Sequence, residues 1–183
     1  MRAVGHAVAT VVSLLAVMTF FCQVSIIMPV AAAEHDAMLA ESSVTTALTL
    51  GASPVSVTLK PPAAATAGLN KRLLALGGTD QVYLLLQGLQ ANAPVDASYD
   101  VYLNLPVGHA PARGDSYYIG NFNFFDSESG RRSAVFNVTD RLRSLAGADA
   151  LGEQPTVTIV PSGHPDAAAT PTIARVLLVT APR

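Results

Sequence analysis

Cysteine is almost missing from this 183-residue sequence: the one present, Cys22, sits inside an apolar N-terminal run. Beyond that run there is no thiol, hence no disulfide, no cysteine nucleophile and no thiolate metal site. Histidine is nearly as scarce. Of the four, His6 lies in the run, His35 follows it, and His109 and His164 sit in the turn contexts Gly-His-Ala-Pro and Gly-His-Pro-Asp. No ligand spacing joins them, so solvated loop histidines are favoured over a surface metal pair. A GxSxG nucleophile elbow is absent. Asp126 and Glu128 lack the loop length and ligand order of an EF-hand. Asp96, Asp100 and Asp115 are scattered and read as solvated acidic surface. Nor does charge of one sign dominate. Once Arg2 is set aside, ten Lys and Arg face thirteen Asp and Glu, a net charge of −3. That gives no electrostatic case for nucleic acid or anionic lipid.

The N-terminus is better defined. Arg2 is the one charge before Glu34, and the stretch between them is apolar or small, ending Pro29-Val30-Ala31-Ala32-Ala33. A basic start, an apolar middle and small residues at the end describe a signal helix, residues 1–33, cut after Ala33. Export to the periplasm or outside the cell follows. The alternative is an uncleaved N-terminal membrane anchor, because the run is long enough to span a bilayer. Cys22 follows Thr19-Phe20-Phe21, without the small neighbour expected of a lipid-modified cysteine. Roughly 150 residues remain, enough to bury about two thirds of the unfolded surface without staples.

Along the rest, 34–80 reads as a linker segment carrying one strand. Glu34 to Thr49 is rich in alanine, serine and threonine and reads as a loose start. Val55 to Leu59 alternates as a strand until Lys60-Pro61-Pro62 stops it. Leu69, Leu73, Leu74 and Leu76 suit a turn or two of helix, or equally a packed loop. The core is expected over 81–183. Gln81 to Gly88 is apolar on both faces, as in a central strand covered twice. Ser133 to Val138 alternates, Thr139-Asp140 can cap a helix through Leu145 with Gly147 as its stop, and Thr156 to Val160 and Ile173 to Thr180 are strands. Arg175 inside the last suggests an edge or an ion pair. Asn137-Val138-Thr139 has the form of a glycosylation acceptor.

The chain is organised around Tyr99 to Phe125. Tyr99, Val101, Leu103 and Leu105 alternate with Asp100, Tyr102 and Asn104, which calls for a strand with one buried face. After a polar loop, Tyr117 to Phe125 repeats the pattern, with Phe122 and Phe124 on one face and Gly120 in mid-strand. A glycine there marks a bulge or a close backbone approach. The reading is all-β: an antiparallel β-sandwich of about seven strands with one short helix.

These strands carry a resemblance. Tyr99-Asp100-Val101-Tyr102-Leu103-Asn104 resembles the lysine-phenylalanine-aspartate-valine (KFDV) motif of the C-terminal domain of polyphenol oxidases and tyrosinases. Asp100, Val101, Tyr102 and Asn104 match, and Tyr99 replaces the phenylalanine. Tyr118, Gly120 and Phe122 are similar to that domain's next motif, and Val157, Thr158, Val160 and Pro161 to its late VTLVP motif, where Ser162 replaces a common arginine. The likeness starts near Leu48 and runs to about Val179. It implies a β-sandwich that packs against a copper domain and shields its active-site mouth. The dicopper domain itself is absent, so no catalytic residue, metal ligand or cofactor is carried over. The expected protein is an exported, non-catalytic accessory domain. Its partner would be a tyrosinase-like copper oxidase met in trans, or a second copy of itself. The alternative is a free-standing structural or ligand-binding sandwich. The loop from Val107 to Ser116, with Val107, His109 and Arg113, is the candidate docking loop.

Overall fold

The computed structural model describes residues 38–44, 46–125 and 132–182. The expected signal helix, His35 and the Asp126–Glu128 turn lie outside those residues. The described residues form nine strands: β1 Met38–Ser42, β2 Leu48–Thr49, β3 Val55–Lys60, β4 Asp80–Gln90, β5 Ser98–Leu103, β6 Tyr118–Asn123, β7 Arg132–Asn137, β8 Thr156–Ser162 and β9 Thr172–Pro182. Two helices join them, α1 Leu69–Leu74 and α2 Thr139–Gly147.

Every strand pairing is antiparallel, along the path β6-β5-β8-β3-β1-β9-β4-β7, with β2 added on β9. β3 is the corner. Val55 to Thr58 pair with β8, whereas Leu59 and Lys60 pair with β1, so the strand passes from one sheet into the other. The path curls until its ends meet, where Gly120 of β6 lies against the ring of Phe136 of β7. The result is an antiparallel sandwich close to a barrel.

One core fills it. Val57, Leu59, Tyr99, Val101, Leu103, Phe122, Val157 and Ile159 enter from one sheet, and Val82, Leu84, Leu86, Ile173, Val176 and Leu178 from the other. Each has its neighbour in sequence on the opposite face, as the two-residue pleat requires. Leu69 and Leu73 of α1 and Leu142 and Ala146 of α2 extend the same cluster. A bulge against β7 keeps Leu89 in phase: Gly88, at φ 67°, is the extra residue where Gln87 pairs with Ser133 and Leu89 with Arg132. Only glycine takes that conformation without strain.

Several expectations need correcting. Residues 38–80 carry more than the one strand expected of them. They supply three strands and a helix, with β1 and β3 in the middle of the sheet path. Their alanines, serines and threonines gave a weak hydrophobic signal, yet Leu39, Ala40 and Leu50 are buried. The strand β4 is buried on its inner face, but Gln81, Tyr83, Leu85 and Gln87 on its outer face are half-buried. Arg175 is not at an edge and makes no ion pair among the described residues. The strand β9 pairs with β4 throughout, and the Arg175 guanidinium donates to Gln87 Oε1 at 2.8 Å. Thr139 does not cap α2 through its side chain; Val138 holds the cap position. Its hydroxyl instead accepts from the Val82 N–H at 2.8 Å and donates to Asn137 Oδ1 at 2.7 Å, tying α2 to β4.

Candidate docking loop

The loop grows out of β5, and its geometry begins with Asn104. That residue ends the strand at φ 52°, a left-handed conformation that asparagine tolerates better than most residues. Its side chain then bridges two segments: Nδ2 donates to the Leu151 carbonyl at 2.8 Å, and Oδ1 accepts from the Thr156 N–H at 2.9 Å. The end of β5 is thereby fixed to the start of β8.

The strand under the loop is buried on both faces, contrary to the single buried face expected. Tyr99, Val101 and Leu103 face the core, while Asp100 and Tyr102 on the outer side are 7% and 1% exposed. A carboxylate so enclosed needs a partner, since an isolated buried charge is costly. Arg113 supplies it by reaching back across the loop. Its Nε donates to both Asp100 oxygens at 3.1 and 3.0 Å, and its Nη2 lies 3.0 Å from Oδ1 and 3.2 Å from Ser162 Oγ. This fork-on-carboxylate arrangement is the strong, oriented form of an ion pair. The hydrogen bonds to Asp100 hold the Arg113 guanidinium above its usual range, so it stays charged. Burial, and secondarily the Asp100 carboxylate, pushes the Tyr102 phenol up, so it stays neutral.

The rest of the loop is ordered from within. Asp115 Oδ2 accepts from the Ala112 N–H at 3.0 Å and lies 3.1 Å from His109 Nε2. The His109 ring meets Tyr117 edge-on at 5.5 Å, and Tyr118 meets Tyr102 edge-on at 5.6 Å. Asp100 and Asp115 are therefore a buried clamp and a loop organiser, not solvated surface. Of the three residues singled out for docking, Arg113 and His109 are engaged with their own domain, and Val107 stands fully exposed at the tip.

The structure also gathers the motif residues that are far apart in sequence. Val101 pairs with Gly120 on one side and Ile159 on the other; Tyr102 pairs with Tyr118 and with Thr158; Asp100 pairs with Val160. Phe122 and Pro161 both sit opposite Tyr99, and Val157 opposite Leu103. All three motifs thus lie on the adjacent strands β6, β5 and β8. Sequence reasoning missed a polar cleft of about 370 Å³ between β4 and α2, lined by Asp80, Gln81, Asn137, Thr139, Asp140 and Arg143. Its residues come from two segments whose meeting no local pattern announces. Among the described residues no group of three or more His, Cys, Asp or Glu could hold a metal ion.

This combination defines a class: an antiparallel sandwich with its own loop clamped over one sheet. The chain belongs to the family described as "Domain of unknown function (DUF7868)", which matches residues 29–181. No curated protein matches it. Among solved structures it is similar to latent apple tyrosinase, at 18% identity and a TM-score of 0.51, covering 74% of this chain and 27% of that one. It is also similar to recombinantly expressed latent aurone synthase, a polyphenol oxidase, at 21% identity and a TM-score of 0.49, covering 80% of this chain and 28% of that one. The chain thus spans little more than a quarter of those proteins, and what it shares with the apple structure is a fold.

Proposed function

We propose that this protein is an exported, non-catalytic accessory domain that docks on a tyrosinase-type copper oxidase in trans and covers part of its surface. The observation that carries this reading is the convergence of the three motifs on adjacent strands of a sandwich that also occurs within latent apple tyrosinase. Such a domain would bind and occlude while the oxidase supplied the copper chemistry. The test is affinity capture from the host's exported fraction, with the captured partner assayed for copper and for diphenol oxidation. A diphenol-oxidising copper protein whose activity falls when this protein is added back is the expected result. Capture of no copper protein would overturn the reading.

A second reading, a free-standing structural sandwich, is favoured by one observation. Arg113 and His109 spend their hydrogen bonds inside their own domain, leaving Val107 as the loop's exposed apolar contact.

A further inference from the structure

The polar cleft between β4 and α2 shares no residue with the loop over β5, and none of the three motifs contributes to it. At about 370 Å³ it falls at the small end of the range for small-molecule sites. Its side chains are held by a hydrogen-bond chain whose direction the bonds themselves fix. The Thr139 N–H can only donate, so the Asn137 oxygen must face it, at 3.1 Å. The same oxygen accepts from the Thr139 hydroxyl at 2.7 Å, which fills both its lone pairs. The Asn137 amide nitrogen therefore faces Gln81 and donates to Oε1 at 3.0 Å. The Tyr83 hydroxyl donates to that oxygen too. Both amide oxygens in the chain are thus occupied, and Gln81 Nε2 is left with hydrogens to give.

The charged groups of the cleft carry both signs. Arg143 Nη2 donates to the carbonyls of Gly77 and Asp80 at 2.8 and 3.1 Å, which fixes the guanidinium and leaves Nη1 and Nε. Asp80 Oδ2 accepts from the Gly77 N–H at 2.9 Å, which leaves Oδ1. Arg141 and Asp140 line the same cleft, and no ion pair joins any of these four charges among the described residues. Two cations and two carboxylates cancel, so the cleft selects neither an anion nor a cation. No apolar side chain lines it, which disfavours a diphenol or any other hydrophobic ligand. What remains is a neutral molecule that both gives and takes hydrogen bonds over a short span. A sugar ring does this. Its neighbouring hydroxyls donate together to a carboxylate and accept together from a guanidinium or an amide, since each hydroxyl is donor and acceptor at once.

We propose that this cleft binds a neutral saccharide, a single sugar ring or the end of a short glycan. Asp80 and Asp140 accept from its hydroxyls, and Gln81, Arg141 and Arg143 donate to them. Gln81 and Asn137 stand on the paired strands β4 and β7, with Thr139 beside them, and the three are already bonded in a chain. Little side-chain freedom therefore remains to be lost on binding. The site does not depend on any oxidase partner.

The experiment is a backbone-amide NMR titration of the full chain with glucose, galactose, mannose, N-acetylglucosamine, cellobiose, maltose and chitobiose. Each is taken to about 50 mM, enough to saturate a site with a millimolar constant. Sodium sulfate and glycine are the comparison arms, an anion and a zwitterion. At least one sugar is expected to move the amides of 78–81 and 137–143 in a saturable way and to leave those of 106–117 in place. Asp140→Ala, at an exposed site, and Arg141→Ala should each weaken that binding about tenfold or more, the loss of a hydrogen bond to a charged group, while the other amides keep their positions. No movement with any of the sugars, movement by sulfate or glycine at lower concentrations than by any sugar, shifts centred on another part of the fold, or binding indifferent to both substitutions would each overturn the proposal.

Discussion

Gly120 and Phe136 lie in contact across the seam where the two ends of the sheet path meet: a Cβ at position 120 would stand 2.8 Å from both Cδ1 and Cε1 of the Phe136 ring. The two residues belong to edge strands that do not hydrogen-bond to each other, and the ring packed on bare backbone closes the sandwich where no ladder does. The ladder is itself irregular beside Gly120, since the register of β5 against β6 shifts between Val101 and Tyr102.

A side chain at position 120 should therefore be costly for a reason that a second substitution can remove. Gly120→Val is expected to destabilise by roughly 1–3 kcal/mol, the usual scale for overpacking. Gly120→Ala should cost less. In a Phe136→Ala background the penalty for either should shrink, since the colliding ring is gone, and the coupling is read by chemical denaturation of the four variants. Equal penalties in both backgrounds would refute the steric account.

The clamp on the loop makes a second prediction, about local order. Arg113→Ala removes the partner of a buried carboxylate, and Asp100→Asn keeps the shape while removing the charge. Both should speed amide hydrogen exchange at positions 106–117, with Arg113→Ala the larger effect because it leaves Asp100 uncompensated. Exchange in β4 and β9, which do not touch the loop's hydrogen bonds, should stay unchanged. Uniform acceleration throughout the molecule would show that the clamp supports the whole fold and not the loop.

Tyr99 yields a prediction with a pH axis. Its ring stacks on Phe122 at 5.5 Å and meets Phe124 edge-on at 5.6 Å, but its hydroxyl is buried without a hydrogen-bond partner. Tyr99→Phe should leave stability unchanged or raise it by about 1 kcal/mol at neutral pH, by deleting an unsatisfied polar group. Burial raises the Tyr99 phenol above its ordinary value. The folded state thus holds that proton more tightly than the unfolded chain does. The corresponding stability is complete below the unfolded-state value of about 10 and declines as pH rises above it toward the folded-state value. The phenylalanine variant should lose less stability between neutral pH and strongly alkaline solution. Parallel stability–pH curves for the two proteins would contradict this.

A fourth prediction concerns chemistry. The purified protein is expected to retain no stoichiometric copper after dialysis and to oxidise no diphenol above background. A coupled copper pair needs several imidazoles on each metal, and the sequence holds four histidines in separate segments. Of these, His109 is committed to Asp115 and Tyr117. One tightly held equivalent of copper by metal analysis would be decisive against it.

The all-β class and the strands β3 to β9 were legible in the sequence, whereas Tyr99 to Phe125, expected at the centre, forms β5 and β6 at one end of the sheet path. Two-residue alternation with proline and glycine stops is a local signal, fixed by the pleat. The mid-strand Gly120 could also be flagged, because a missing side chain inside a strand needs a cause, although Phe136 as that cause could not be named. The strands β1 and β2 were not legible. Short segments of small residues gain strand structure only from neighbours far along the chain: β1 from β3 and β9, and β2 from β9. Asp100 and Arg113 show the limit most clearly. Each reads as an ordinary surface charge within its own segment, and only the folding of the loop back over β5 buries the carboxylate and brings the guanidinium to it. The same holds for Val135, Leu85 and Leu177, set side by side on β7, β4 and β9 by the register. Alternation decides which side of each strand a residue occupies, but the order in which strands pair decides which side chains become one surface.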